Sequence, residues 1–320
     1  MSEPIAAIAI GRNEGERLVR CLASLQGQVS PVVYVDSGSD DGSVEAARRA
    51  GAHVVELDMS IPFTAARARN EGLARVVELV PESAFVQFLD GDCVLDPDWM
   101  EKARTALEAE VDLAVVCGRR REMFPEASLW NRLIDEEWDT PVGEAKACGG
   151  DALIRRAALA EIGGYPDDLI AGEEPEMCYR MRKAGWRIRR IDAEMTLHDA
   201  ALKRFSQWWK RTRRAGHAYA AVAARHGHEE EGFRRGETRR ALIWGAGVPL
   251  LAVLGAIVVS PWFLAVLLVW PLQVLRIWAK GTSFTRAFFL TLGKLPEALG
   301  VMGFWRQRLT GARQKIIEYK

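Results

Sequence analysis

Residues 5–10, 32–35 and 54–57 are short, mostly apolar runs, each long enough for one buried strand and each followed by a polar turn and a segment of helical length. After the first run, Leu18, Leu22 and Leu25 recur at helical spacing. After the second, a helix extends to Gly51, a residue that tolerates the left-handed backbone of a helix C-terminus. After the third, residues 64–80 form a helix carrying Arg67, Arg69 and Asn70, and Phe85-Val86-Gln87-Phe88-Leu89 supplies the next strand. Strands and helices alternating through loops this short must be joined by crossovers. Residues 1–200 are therefore expected to form an α/β domain with a mostly parallel sheet flanked by helices.

The fourth strand runs straight into Asp90-Gly91-Asp92. In parallel α/β sheets, ligands bind just beyond the carboxyl ends of the strands. Two carboxylates placed there suit a hard divalent cation, which takes oxygen ligands from one or two carboxylates and from substrate phosphates; a solvated acidic turn is the plainer reading. A dinucleotide-binding domain would need G-x-G-x-x-G after the first strand, and the turn here is Gly11-Arg12-Asn13-Glu14-Gly15. No Walker A sequence is present. The turn after the second strand, Asp36-Ser37-Gly38-Ser39-Asp40-Asp41-Gly42, offers Asp36 to a ribose or a base, or else an N-cap cluster to the next helix.

Further along, residues 113–118 form a strand and residues 119–123 are basic. Trp130 and Trp138 sit among acids and suit core packing first and sugar stacking second. Cys148-Gly149-Gly150-Asp151 is a tight turn where backbone can come close to a ligand. Pro175 fits the first position of a helix and Gly185 the residue past its end, which places Glu174 at the N-terminus. The positive end of the helix dipole keeps such a carboxylate ionised. It can then take a proton from an attacking hydroxyl, or simply cap the helix. Residues 186–191 are expected to be an edge strand, and His198 beyond them is either a third metal ligand or a hydrogen-bonded structural residue.

The formal net charge of zero conceals an asymmetry. Residues 1–200 hold 23 Lys and Arg against 37 Asp and Glu, residues 201–240 hold 11 against 4, residues 241–275 hold none, and residues 276–320 hold 9 against 2. An acidic domain thus leads into a basic, apolar tail, which points to a membrane or a polyanion. The basic, tryptophan-bearing stretch from Lys203 to Arg214 suits an anionic membrane surface. The uncharged run breaks at Ser260-Pro261 into halves near the ~20 residues a span requires, with Pro249 and Pro271 as kink sites. We expect a helical hairpin over 241–278, with a re-entrant hairpin and a buried soluble pair as the other readings. Lys and Arg at both outer ends place those ends, and the catalytic domain, on the cytoplasmic face of an inner or plasma membrane. Residues 201–240 form a basic juxtamembrane segment, and residues 279–320 an amphipathic tail along the interface. The five cysteines form no C-x-x-C pair, which argues against a disulfide framework or zinc ribbon, and the N-terminus lacks the basic segment of a secretory signal.

Taken in order, these pieces resemble the family 2 glycosyltransferases, which have the GT-A fold. The resemblance covers roughly residues 5–200. It rests on Asn13-Glu14, on Val35-Asp36-Ser37-Gly38-Ser39-Asp40-Asp41-Gly42, on Ala68-Arg69-Asn70, and on Asp90-Gly91-Asp92 as the family's D-x-D. Gly163-Gly164-Tyr165 stands for G-G-F and Gly172-Glu173-Glu174 for G-E-D. The resemblance implies inverting transfer of a sugar from a nucleotide-sugar donor to an acceptor hydroxyl, lipid-linked or part of an envelope glycan, with no nucleic-acid partner. By it, Asp36 and Arg69 contact the nucleotide, Asp90 lies near the ribose and the metal, Asp92 holds Mg²⁺ or Mn²⁺, and Glu174 is the base; Gly150 joins the donor-binding candidates and His198 the metal ligands on the residue readings above. Glutamate stands where the family has aspartate, which keeps Glu173 as a substitute. Gln207-Trp208-Trp209-Lys210-Arg211 is only loosely similar to the Q-x-x-R-W of processive members. Transfer to a polyprenyl phosphate, and a tethered sugar-nucleotide binder without activity, are the competing functions.

Overall fold

The computed structural model describes residues 4–311 and divides into two units, one ending at Lys203 and one beginning at Arg204. The last nine residues of the expected interfacial tail, 312–320, lie outside the described residues.

The first unit alternates strand and helix as the apolar runs require. Its elements are β1 (Ala6–Gly11), α1 (Glu16–Leu25), β2 (Val32–Asp36), α2 (Ser43–Arg49), β3 (His53–Glu56), α3 (Ala65–Leu79), β4 (Phe85–Asp90), β5 (Cys93–Leu95) and α4 (Trp99–Ala109). Then follow β6 (Leu113–Glu122), α5 (Leu129–Trp138), β7 (Gly143–Glu144), β8 (Ala152–Arg155), α6 (Arg156–Ile162), α7 (Glu173–Lys183) and β9 (Arg187–His198). The helix α1 buries Leu18, Cys21, Leu22 and Leu25 along one stripe, and the Thr64 side chain caps α3 by accepting from Arg67 N. The core forms between the sheet and these helices, with Ile8, Tyr34, Phe88 and Leu153 fully buried.

The strands form one sheet in the order β3-β2-β1-β4-β8-β6-β9-β5, with β7 also on β9. Among the described residues four pairings are parallel and four antiparallel, so the sheet is mixed rather than mostly parallel. The reason is β8. It enters between β4 and β6 against both, where the strand–helix rhythm of the first 90 residues gave no sign of it. A second expectation also fails. Residues 187–191 belong to the twelve-residue β9, an interior strand paired with β6 along its length and with β7 and β5 near its two ends. Its solvent-facing charges, alternating with buried residues, made the strand look shorter and more peripheral than it is.

Register puts the strand ends that matter at one edge. Gly11 pairs with Asp36 and Ile10 with Asp90, so Asp36 and Asp90 terminate the two strands flanking β1. Because β8 runs the other way, pairing Ala152 with Phe88, the turn Gly149-Gly150-Asp151 arrives beside Asp90. The helix α7 begins at Glu173 after Gly172, two residues earlier than Pro175 would suggest. Proline is tolerated there because the first four helical N–H groups lack intrahelical acceptors.

The regular elements of the second unit are all helices among its described residues, joined by short turns. The helix α8 (Phe205–His226) carries the basic, aromatic sequence. Three further helices are long and apolar enough to cross a membrane: Arg235–Val258, Pro261–Trp278 and Phe284–Thr310. The first contains a π-helical turn, Ile243–Gly247, immediately before Pro249, where the proline's missing N–H and its ring disturb the ordinary ladder. The second opens as a 3₁₀ helix and turns α-helical at Val269, two residues before Pro271. Both expose aliphatic side chains such as Leu254, Ile257, Leu268 and Leu272. The third covers most of the segment read as an amphipathic interfacial tail, and within it Lys294 pairs with Glu297 one turn on at 2.6 Å. It packs on α8 at backbone distance: a Cβ at Gly216 would stand 2.0 Å from the Glu297 carbonyl oxygen, and one at Gly300 2.1 Å from that of Arg213.

Candidate functional site

Arg69 organises the centre of the site. It lies on the face of α3 toward the sheet and is 3% exposed. Its Nη2 donates to Asp90 Oδ1 and its Nη1 to Glu173 Oε1, both at 2.9 Å, so one guanidinium ties the end of β4 to the start of α7. Burial alone would favour the neutral form, but Asp90 and Glu173 more than offset it and raise the pKa of Arg69. The guanidinium also lies 5.5 Å from the ring centroid of Tyr165. Gly150 presses on this fork: a Cβ there would lie 2.9 Å from both Arg69 Nη2 and Asp90 Oδ2. Of the residues read from the sequence, Arg69, Asp90 and Gly150 are therefore in one contact group, with Glu173 as a fourth member.

Asp92 and His198 make a second group. The short antiparallel ladder of β5 and β9 sets Cys93 opposite His198. Asp92, one residue earlier, then places Oδ1 3.2 Å from His198 Nε2. Asp92, Cys93 and His198 have ligand atoms within 4.8 Å of one another, all buried. Burial lowers the pKa of His198, with Asp151 opposing, so the imidazole stays neutral and keeps a lone pair. Burial, reinforced by Asp151 and Asp90, pushes the Cys93 thiol well up, which leaves it protonated.

Beneath both groups sits Asp151, wholly buried. It accepts from Arg120 Nε at 2.8 Å, Thr196 Oγ1 at 2.8 Å and the Asp90 N–H at 3.3 Å. Burial pushes its carboxyl up, but the Arg120 guanidinium and the Thr196 hydroxyl hold it below the ordinary value. Arg120 in turn lies over the Trp138 ring, and Trp138 stacks on His198 with centroids 4.8 Å apart and planes at 16°. Trp138 is thus no core tryptophan; it walls the imidazole. Arg120, Asp151 and this role of Trp138 escaped the sequence reading. The one available signal was a run of arginines continuing strand β6 toward the edge where the acids collect.

Glu174 lies in the first turn of α7, 7% exposed. Its Oε1 accepts from the Cys148 N–H at 2.6 Å and from Cys178 Sγ at 3.0 Å. Asp36 stands apart from these contacts. Its Oδ1 accepts from Tyr34 Oη and Ser39 Oγ, and its Oδ2 from the N–H groups of Gly38 and Ser39, so the carboxylate shapes its own loop. Asn13, with a left-handed φ of 56°, joins that loop to the one after β1 by accepting from Asp40 N, while its own N–H donates to Ser39 Oγ.

The sequence of residues 8–163 matches the glycosyl transferase family 2. The chain is 26% identical over 190 residues to the glycosyltransferase AglE of Haloferax volcanii, covering 55% of this chain and 60% of that protein. It is 29% identical over 228 residues to the pre-mycofactocin glycosyltransferase of Mycobacterium tuberculosis, covering 67% of this chain and 46% of that one. The chain thus spans roughly half the length of these curated relatives. Among solved structures, a mannosyltransferase from Pyrobaculum calidifontis in complex with GDP-Man and Mn²⁺ superposes with a TM-score of 0.64 at 19% identity, over 94% of this chain and 88% of that one. Glucosyl-3-phosphoglycerate synthase from Mycobacterium tuberculosis superposes at 0.53 and 17% identity, over 72% and 82%. These likenesses establish a GT-A-like fold with a central mixed sheet. With the family model matched over residues 8–163 and a GT-A-like fold around that segment, the N-terminal unit of this chain is similar to a family 2 glycosyltransferase domain.

Proposed function

We propose that the protein is an inverting, metal-dependent glycosyltransferase that moves a sugar from a nucleotide-sugar donor to an acceptor hydroxyl. The observation that carries this reading is the adjacency, along one sheet edge, of the Asp92–His198 pair and the Asp90–Arg69–Glu173 fork. The residues present fit a divalent cation. Asp92 and His198 supply the oxygen and nitrogen donors such an ion takes, and two protein ligands suit an ion that completes its shell with donor phosphates, as Mg²⁺ or Mn²⁺ does. When bound, such an ion supplies Lewis-acid stabilisation of the departing diphosphate.

The other residues bind, position and move a proton. Asp90 faces the donor ribose, with its orientation fixed by Arg69 and its backbone N–H by Asp151. Gly150 leaves room for the donor beside them, and the loop closed by Asp36 lies at the same edge for the nucleotide base. Glu174 takes the proton of the acceptor hydroxyl as that oxygen attacks the anomeric carbon and the bond to the diphosphate breaks. Two donors hold Oε1, and no hydrogen bond among the described residues engages Oε2, which is the oxygen we assign to the proton. Glu173 is the weaker candidate because its Oε1 is committed to Arg69.

The apolar helices follow the catalytic unit in one chain and tether it to a membrane. We infer that residues 241–278 form a hairpin whose basic flanks stay in the cytoplasm, which brings a lipid-linked acceptor into reach. The deciding experiment is sugar transfer by the purified full-length protein from a panel of nucleotide sugars with Mn²⁺, with the product's anomeric configuration read by NMR. We expect inversion relative to the donor. Retention, or binding without turnover across the panel and a lipid-linked acceptor set, overturns the proposal.

A further inference from the structure

Cys148 and Cys178, which the transfer reaction does not use, form a buried cluster with Glu174. The two Sγ atoms lie 3.6 Å apart and are not joined. Glu174 Oε1 is 3.0 Å from Cys178 Sγ, and the three ligand atoms all fall within 4.8 Å of one another. The placement follows from the fold: Glu174 and Cys178 are four residues apart on one face of α7, and Cys148 opens the turn that leads into β8.

We propose that Cys148, Cys178 and Glu174 form a site for a thiophilic divalent ion, Zn²⁺ by its donor set, whose occupation takes Glu174 out of the transfer reaction. Two thiolates on one tetrahedral zinc, each at ~2.3 Å, lie about 3.8 Å apart, close to the separation already present. The ligand chemistry separates this site from the Asp92–His198 pair. Sulfur donors select Zn²⁺ and its soft relatives, whereas an oxygen-rich site completed by phosphates selects Mg²⁺ or Mn²⁺. Binding needs no electron transfer. Each thiol releases its proton to solvent as a metal–sulfur bond forms, and Glu174 Oε1 exchanges the Cys178 S–H for the ion.

A disulfide is the alternative chemistry of the same pair, and the surroundings disfavour it. Burial pushes the Cys178 thiol up to about 12, and Cys178 together with burial pushes that of Cys148 well up, so neither offers a free thiolate for attack. A coordinating metal generates the thiolate it binds. The cost of releasing both protons makes affinity steep in pH: roughly a hundredfold tighter per pH unit while both thiols are protonated in the free protein.

The metal site itself stands independently of the proposed reaction; only its inhibitory effect rests on Glu174 as base. The test is a Co²⁺ titration of the full-length protein, followed by the thiolate-to-metal charge-transfer absorption, with Zn²⁺ as competitor. We expect one ion per chain, two protons released, and the same band in His198→Ala. We expect no band in Cys148→Ser/Cys178→Ala, with the fold of each variant checked by circular dichroism. No band in the wild type, or a band that survives the double substitution, overturns the site. In transfer assays at saturating Mn²⁺, Zn²⁺ should suppress wild-type turnover at least tenfold while leaving Cys178→Ala near its own rate without Zn²⁺. Equal inhibition of both overturns the inhibitory effect and assigns it to the Asp92 pair. A band without any inhibition supports the site and removes Glu174 from the mechanism.

Discussion

His198 Nε2 stands 3.2 Å from Asp92 Oδ1 because the antiparallel ladder of β5 and β9 sets Cys93 opposite His198, across more than a hundred residues of intervening chain. Two ligands on adjacent strands keep their separation without help from a mobile loop. Asp92→Ala and His198→Ala should therefore weaken the response of turnover to Mn²⁺, while the second leaves the sheet intact. The check is transfer rate against Mn²⁺ concentration. The loss of one ligand should raise the half-saturating concentration at least ~10-fold, within the range seen for disturbed metal sites. An unchanged curve for His198→Ala would assign the imidazole to structure alone.

Glu174→Gln keeps the shape of the side chain and can retain the contacts to Cys148 N and Cys178 Sγ, but it removes the basic oxygen. Donor affinity should stay within about twofold while transfer falls ~10²–10⁴-fold, the usual contribution of a general base. Full activity in this variant would favour an acceptor that is already anionic, such as a polyprenyl phosphate, which needs no base. The parallel Glu173→Gln variant should act differently, by loosening Arg69.

Much of the site was legible in the sequence because its acids sit where apolar runs stop. Asp90 and Asp92 follow the end of a strand, and Glu174 opens a helix whose end Gly185 marks. These are local signals. What stayed hidden depends on pairing between distant segments. The antiparallel insertion of β8 brings Asp151 beneath Asp90, and only then does Arg120 on β6 acquire a buried partner. Trp138 looked like core packing for the same reason: its neighbour His198 lies sixty residues on, at the far end of a strand that seemed to stop at Ile191. Asp36 was legible as a site-edge acid, but its hydrogen bonds close on its own loop, a distinction that composition does not carry.

Arg69 holds two carboxylates that would otherwise face each other. Arg69→Ala leaves Asp90 and Glu173 without their cation. Breaking a fully buried pair costs ~3–5 kcal/mol; here about 2–4 kcal/mol is expected, because a third of the Asp90 side chain remains exposed. Urea denaturation measures this directly. Gly150→Ala should cost less stability but more donor affinity, since its Cβ would push against the same fork at 2.9 Å. Isothermal titration with the donor separates the two variants. A Gly150→Ala protein that binds donor like the wild type would remove Gly150 from the donor site.

Asp151 provides a pH test. Its carboxyl is held below the ordinary value in the folded state, with Arg120 the leading favourable cause. A depressed carboxyl contributes stability that is fully present above its unfolded pKa of ~3.9 and is lost as pH falls through the lower folded value. Stability should thus be flat above about pH 5 and decline below pH 4. Arg120→Gln removes that cause, so its acid unfolding should begin at higher pH than in the wild type. Coincident acid transitions in the two proteins would show that Arg120 does not set the ionisation of Asp151.

The apolar helices make a last, separable prediction. Leu254 and Ile257 on Arg235–Val258, and Leu268 on Pro261–Trp278, are exposed, an arrangement costly in water and suited to lipid. If these faces contact hydrocarbon, an arginine on one of them carries an insertion cost of about 3 kcal/mol near the bilayer centre. Leu254→Arg and Leu268→Arg should each lower the fraction of protein that resists alkaline carbonate extraction, whereas Leu254→Ile should not. The outcome distinguishes lipid from protein as the neighbour of these faces. A helix pair buried against protein would respond to the arginines by unfolding and proteolysis. A lipid-facing pair would release an intact catalytic unit that still binds donor, because the contacts of Asp90, Asp92 and Glu174 described above all lie within the first 203 residues.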